Sequence, residues 1–138
     1  MPDDATGAIR VLVVDDQSAM RSIIRQLLHQ VGIDDVAEAE NGEQALAALR
    51  MNGDTDPDVI ICDIHMDRMD GTEFCNRVRR DAAIRNRGIP ILMLTGDRNR
   101  LVHEVAQQLG AAKVLTKPIT AHDLLSEIEA AIGYSVGR

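Results

Sequence analysis

The sequence predicts an α/β protein of (βα)5 type, with a parallel five-stranded sheet covered by helices on both faces. Three observations lead there. Short apolar runs alternate with longer segments of helical period, five times along the chain. The runs are mostly too apolar to keep one face in water, as strands of a parallel sheet buried on both sides are. Glycine punctuates the pattern at Gly32, Gly53, Gly88, Gly110 and Gly133, each at or after the expected end of a helix, where a left-handed residue is wanted.

The first strand is "IRVLVV" (9–14). The helix after it carries Met20, Ile23, Ile24, Leu27, Leu28 and Val31, the +3/+4 spacing of a buried stripe. "DVAEAE" (35–40) sets Glu38 and Glu40 in alternation with Ala37 and Ala39, a pattern suited to a sheet edge. "DVIIC" (58–62), "IPILML" (89–94) and "AKVLT" (112–116) supply the remaining strands. The last helix carries Leu124, Leu125, Ile128 and Ile132; it opens at Thr120 with Asp123 three residues on, close to a capping box. The expected division is a tail over 1–8, one domain over 9–132 and a tail over 133–138. Only "GYSVGR" follows the last helix, so a stand-alone domain with no output domain is expected.

Composition narrows the function classes. The 138 residues suit one domain with a substantial core, and 45% hydrophobic against 27% charged residues excludes a disordered chain. Phe74 and Tyr134 are the whole aromatic complement, so the core must be aliphatic. Fifteen Lys and Arg against 22 Asp and Glu leave a net charge of −7, which disfavours nucleic acid and anionic membranes as partners. No apolar stretch approaches the ~20 residues that span a bilayer, and the acidic start lacks a signal-peptide core, so the cytosol is the expected compartment. Cys62 closes an apolar run and Cys75 falls in a helical one; two buried reduced thiols are expected rather than a disulfide.

Chemistry collects at the strand ends. The first strand ends on Asp15–Asp16, the third on Asp63, the fourth on Thr95 and the fifth on Lys117. Ligands of open α/β sheets bind outside the carboxyl ends of the strands, so residues distant in sequence would meet there. Three carboxylates that close repel unless a proton or a cation joins them, and a hard ion such as Mg²⁺ prefers such oxygen donors. Lys117 adds an ammonium and Thr95 a hydroxyl. The set matches phosphoryl transfer onto a carboxylate, with Asp63 as the nucleophile.

The stretch "VIICDIHMD" poses a local question, because Asp63, His65 and Asp67 occupy alternate positions. In an extended chain they would share one face, as metal ligands do. The strand is expected to stop at Asp63 instead, with a helix set up again by Gly71 and with His65 and Asp67 in the loop.

The fragments "VLVVDDQSAMR", "VIICDIHMDRMDGTEF", "ILMLTG" and "VLTKP", in this order and spacing, resemble the response-regulator receiver domain of two-component signalling over about residues 9–132. The resemblance implies a flavodoxin-like strand order 2-1-3-4-5 and a phospho-acceptor at Asp63, fed by a histidine kinase or a histidine phosphotransfer protein. It implies Mg²⁺ on Asp16, Asp63 and the His65 backbone carbonyl, with Asp15 acting through coordinated water. It also implies a phosphoryl grip by Thr95 and Lys117 and a cis bond at Lys117–Pro118. His65 and Asp97 then occupy positions that flank the phosphoryl group and tune its lifetime, and Gly96 leaves Asp63 accessible. Outputs would dock on the face of the fourth helix, fifth strand and fifth helix, near Arg98, Arg100, His103 and Glu104. The equal alternative for those charges is a solvated face. The chain is expected to be a monomer, with a dimer left open.

Two positions depart from the family pattern. Val114 stands where many receivers carry an aromatic ring that swings with the hydroxyl residue. Either the switch runs through the loop after the fourth strand or activation is structurally quieter; a plain core valine is the bland alternative. Asp67 replaces a usual proline and is expected to be a solvated loop aspartate. His29, His103 and His122 lack ligand spacing and are expected at the surface. Two other functions compete: an Mg²⁺-dependent phosphohydrolase built on the D-x-H-x-D spacing, and a non-phosphorylated scaffold.

Overall fold

A computed structural model describes residues 9–51, 56–133 and 135. The tail over 1–8, Gly53 and Tyr134 lie outside the described residues. The elements run β1 (Arg10–Val14), α1 (Ser18–Gln30), β2 (Asp35–Ala39), α2 (Gly42–Arg50), β3 (Val59–Cys62), α3 (Gly71–Arg80), β4 (Ile91–Thr95), α4 (Arg100–Gln108), β5 (Lys113–Thr116) and α5 (Ala121–Ile132). All strand pairs are parallel, in the order 2-1-3-4-5.

Alternation along each strand builds two cores. Leu12, Val14, Ile60, Cys62, Ile91 and Met93 face α2, α3 and α4, together with Leu46, Phe74 and Val78. Val11, Val13, Val59, Ile61, Leu92 and Leu94 face α1 and α5, together with Ile24, Leu28, Leu124 and Ile128. Because both faces are covered, β1, β3 and β4 read as unbroken apolar runs. Each large aliphatic side chain so buried contributes roughly 1.5–3 kcal/mol. β2 is an edge strand, as its alternation predicts, and the edge is charged: Glu38 accepts from Arg21 Nε at 2.8 Å and from Arg25 Nη2 at 2.8 Å. Those hydrogen bonds, Arg21's first, hold the Glu38 carboxyl below its usual range.

Local signals set the helix ends. Asn41, Asp70, Asn99 and Thr120 cap α2 to α5 with their side chains; Thr120 accepts from Asp123 N at 3.0 Å. Gly32, Gly110 and Gly133 adopt positive φ, as expected. Gly88 does not. α3 stops at Arg80, where Asp81 turns extended (φ −83°, ψ 111°), so the glycine belongs to the loop beyond. Ile23 also departs from expectation at 48% exposed: Ile24 and Leu28 are buried against the sheet and Met20, Leu27 and Val31 pack beside them, but Ile23 lies outside that contact.

Register delivers the site. Val14 pairs with Cys62, Cys62 with Met93, and Thr95 with Thr116. Asp15, Asp63 and Lys117 therefore leave adjacent strands at the same edge as Thr95, with strands about 4.8 Å apart. Three backbone bonds extend this alignment beyond the strands: Asp15 N to Ala39 O at 3.2 Å, Asp63 N to Val14 O at 3.3 Å and Lys117 N to Thr95 O at 2.8 Å.

Candidate functional site

β1 delivers Asp15 into the sheet end, where it is 2% exposed. Its Oδ1 accepts from Gln17 N at 2.9 Å, and its carbonyl accepts from Arg21 Nη1 at 2.7 Å. Burial pushes the Asp15 carboxyl above its ordinary range; the Gln17 amide opposes this, and the Asp63 and Asp16 charges add to it. Asp16 is exposed and turns outward, its Oδ2 accepting from Asp67 N at 3.0 Å. That bond ties the first strand's end to the loop after the third.

β3 ends at Cys62, and Asp63 stands just beyond it. Lys117 Nζ lies 3.0 Å from Asp63 Oδ2 and 3.9 Å from Asp15 Oδ2, so one ammonium serves two carboxylates. His65 N donates to Asp63 Oδ1 at 3.3 Å. The loop is clamped from behind by Gly71, whose N–H donates to Ile64 O at 2.6 Å. A Cβ on Gly71 would meet Asp63 O at 2.2 Å, so only glycine lets α3 begin this close to the acidic strand end. Arg68, in the same loop, takes a left-handed φ of 70°.

The alternate spacing of Asp63, His65 and Asp67 does not survive as one face. His65 turns away, its Nε2 2.6 Å from Asp97 Oδ2, and Asp67 is an exposed loop residue. Thr95 is 1% exposed, and its Oγ1 accepts from Asp97 N at 3.1 Å. Asp97 Oδ1 accepts from Asn99 N at 2.8 Å. That amide first, and His65 second, hold the Asp97 carboxyl below its usual range. The Lys117–Pro118 peptide is cis. Val114 is half-buried, packed against the core with no ring to move.

Sequence reasoning missed three participants. Arg21 joins Asp15's carbonyl to Glu38, and nothing distinguishes it in sequence from other helix cations. The Asp16–Asp67 link is a backbone contact that no side-chain pattern announces. His103, expected at the surface, is half-buried, and its Nε2 meets Asp97 O. Its place four residues after the Asn99 cap, hence on the first turn of α4, was the available signal. His29 and His122 are exposed, as expected.

The donor set suits a divalent cation chemically. Asp15 is buried beside two further carboxylates with one ammonium to offset them, and its raised pKa is the electrostatic deficit a hard cation would relieve. Among the described residues no three carboxylate, histidine or cysteine groups already stand in ligating positions; Asp16 is engaged by Asp67.

The response regulator receiver domain model matches residues 11–129. The chain belongs to the response regulator receiver family. This receiver is 37% identical over 125 residues to the chemotaxis protein CheY1 of Helicobacter pylori, covering 91% of this chain and 98% of that one. It is 35% identical over 130 residues to the chemotaxis protein CheY homolog of Campylobacter jejuni, covering 94% and 97%. Among solved structures, Vibrio cholerae CheY4 matches with a TM-score of 0.77 at 32% identity, covering 89% of the receiver and 98% of that chain. A receiver domain protein from Clostridium thermocellum matches with a TM-score of 0.78 at 28% identity, covering 91% and 94%. The receiver is thus a CheY-like member of the two-component signalling proteins, and none of its helices among the described residues is long and apolar enough to cross a membrane.

Proposed function

We propose that this receiver accepts a phosphoryl group on Asp63 from the phosphohistidine of a histidine kinase or histidine phosphotransfer protein. The single observation that carries this is the convergence on Lys117: one ammonium bridges Asp63 and Asp15 from the ends of three strands. An Asp63 carboxylate oxygen attacks phosphorus, the P–N bond to the donor imidazole breaks, and the electron pair leaves with that ring. The product is an acyl phosphate on Asp63, and water later returns the carboxylate and inorganic phosphate. Lys117 Nζ balances charge on the transferred oxygens and Thr95 Oγ1 donates its proton to one of them. Asp15, Asp16, Asp63 and the His65 carbonyl would hold Mg²⁺, which when bound supplies a further positive charge to the phosphoryl oxygens.

His65 and Asp97, bonded to each other beside the acceptor, tune access of water to the acyl phosphate. The receiver unit spans 9–132 and works in the cytosol. It signals through a protein target on the face of α4, β5 and α5 or by passing the phosphoryl group on, without nucleic acid or membrane.

The test is incubation with Mg²⁺ and acetyl phosphate or phosphoramidate. One hydroxylamine-labile phosphoryl group, absent from Asp63→Asn, supports the assignment. Steady hydrolysis of general phosphate esters without labelling would point to a phosphohydrolase, and neither activity to a scaffold.

A further inference from the structure

Thr95 is tied to α4 through a single residue. Asp97 N donates to Thr95 Oγ1 at 3.1 Å, which leaves the hydroxyl its own proton to give elsewhere. Asp97 Oδ1 accepts from Asn99 N at 2.8 Å and closes the Asp97–Asn99 turn, while Asn99 Oδ1 caps α4 through Leu101 N at 2.9 Å. From the first turn of α4, His103 Nε2 donates to Asp97 O, and His103 N donates to Asn99 O at 3.1 Å. The outer face of that helix carries Leu101 at 70% and Val105 at 47% exposed. On the β5 side, Val114 has neither ring nor hydroxyl to follow Thr95.

We propose, on the footing of the phosphoryl transfer above, that His103 is a positioning residue coupling Thr95 to α4 through Asp97, in place of a ring at position 114. If Thr95 turns its hydroxyl to a phosphoryl oxygen, Asp97 N must follow to keep its acceptor. The Asp97–Asn99 turn moves with it, because its internal hydrogen bond makes it one unit. The His103 bond to Asp97 O then carries that displacement into the first turn of α4 and resets the presentation of Leu101 and Val105. A carbonyl can only accept, so His103 Nε2 carries the proton.

Beryllofluoride with Mg²⁺, as a phosphoryl mimic, and acetyl phosphate, as a donor, provide the test. In the wild-type protein the ¹⁵N spectrum of His103 shows a protonated Nε2 whose resonance shifts on adding beryllofluoride, and amide exchange over 100–108 changes. His103→Ala still takes a phosphoryl group on Asp63, but its exchange response over 100–108 falls at least about fivefold. His103→Gln, which keeps an N–H at the ε position, restores the response, and His103→Asn does not. If the alanine variant fails to fold, the Gln and Asn pair decides. A His103→Ala or His103→Asn protein whose α4 responds as the wild type does overturns the coupling and leaves phosphorylation standing. A wild-type chain that takes no phosphoryl group overturns both.

Discussion

The Lys117 ammonium stands 3.0 Å from Asp63 Oδ2, across 54 residues of chain. Two parallel crossovers bring it there, since Cys62 on β3 registers with Met93 on β4, and Thr95 on β4 with Thr116 on β5. The same ammonium lies 3.9 Å from Asp15 Oδ2, so removing it leaves two carboxylates facing each other at the sheet end. Lys117→Ala is therefore expected to keep the wild-type circular dichroism spectrum, because its side chain belongs to neither core. Its rate of labelling by acetyl phosphate should fall by about 100-fold, the scale of losing one charge aimed at a transition state. Retention of the wild-type rate would remove Lys117 from the chemistry.

Asp15 is expected to oppose folding at neutral pH when no cation is present. Its carboxyl is raised above the ordinary value, chiefly by burial. A raised acid favours the folded state while it is protonated, below the unfolded value, and that contribution is lost as pH rises through the folded value. Asp15→Asn should then match the wild type near pH 3.5 and be the more stable of the two at pH 7 in urea unfolding without divalent ions. Added Mg²⁺ should narrow the gap by stabilising the wild type alone. A variant less stable than the wild type at pH 7 would contradict this balance.

Gly71 should tolerate no side chain. Alanine there would put a methyl group 2.2 Å from Asp63 O and 2.9 Å from Ile64 Cα, both backbone atoms. The start of α3 must retreat, and Gly71→Ala should destabilise by about 2–3 kcal/mol in chemical denaturation and slow Asp63 labelling as well. Gly96→Ala is the control for stability alone, since a methyl group there would meet no atom within 4 Å.

Arg79 gathers three stretches of chain. Its guanidinium donates to Arg87 O at 2.6 Å, Ile89 O at 2.7 Å and Gly110 O at 2.7 Å. A lysine ammonium cannot span that fork, so Arg79→Lys should cost about 2 kcal/mol of stability while leaving labelling of the folded protein unchanged. Equal denaturation midpoints for the two proteins would contradict the role.

The two thiols should be silent in the folded protein. Cys62 and Cys75 are both free and buried. Burial pushes the Cys75 thiol up to about 11 and the Cys62 thiol well above its ordinary value, so little thiolate exists at pH 8. Ellman's reagent should find neither thiol in native buffer and both in guanidinium; fast native reaction at either would show that the strand end opens.

Much of the fold is legible in the sequence because the relevant signals are local. The edge pattern of β2, the Thr120 cap and the apolar runs of β1, β3 and β4 each report the environment of their own segment, and all three hold. Asp63 as a strand-end residue followed by a loop is also readable, from Gly71. What the sequence hides depends on direction. His65 and Asp97 are each two residues past a site residue, but only the folded loops show them bonded to each other. His103 and Arg21 look like ordinary helix residues until a backbone carbonyl from another segment reaches them. Gly88 misleads because glycine in a loop need not be left-handed.

The central claim is that Asp63 is the acceptor, and mass spectrometry of the protein after acetyl phosphate and Mg²⁺ tests it most directly. The wild-type protein should gain one phosphoryl group that hydroxylamine removes, mapped to the peptide holding Asp63 and missing from a folded Asp63→Asn protein. An unlabelled wild-type chain, or equal labelling of Asp63→Asn, would contradict it.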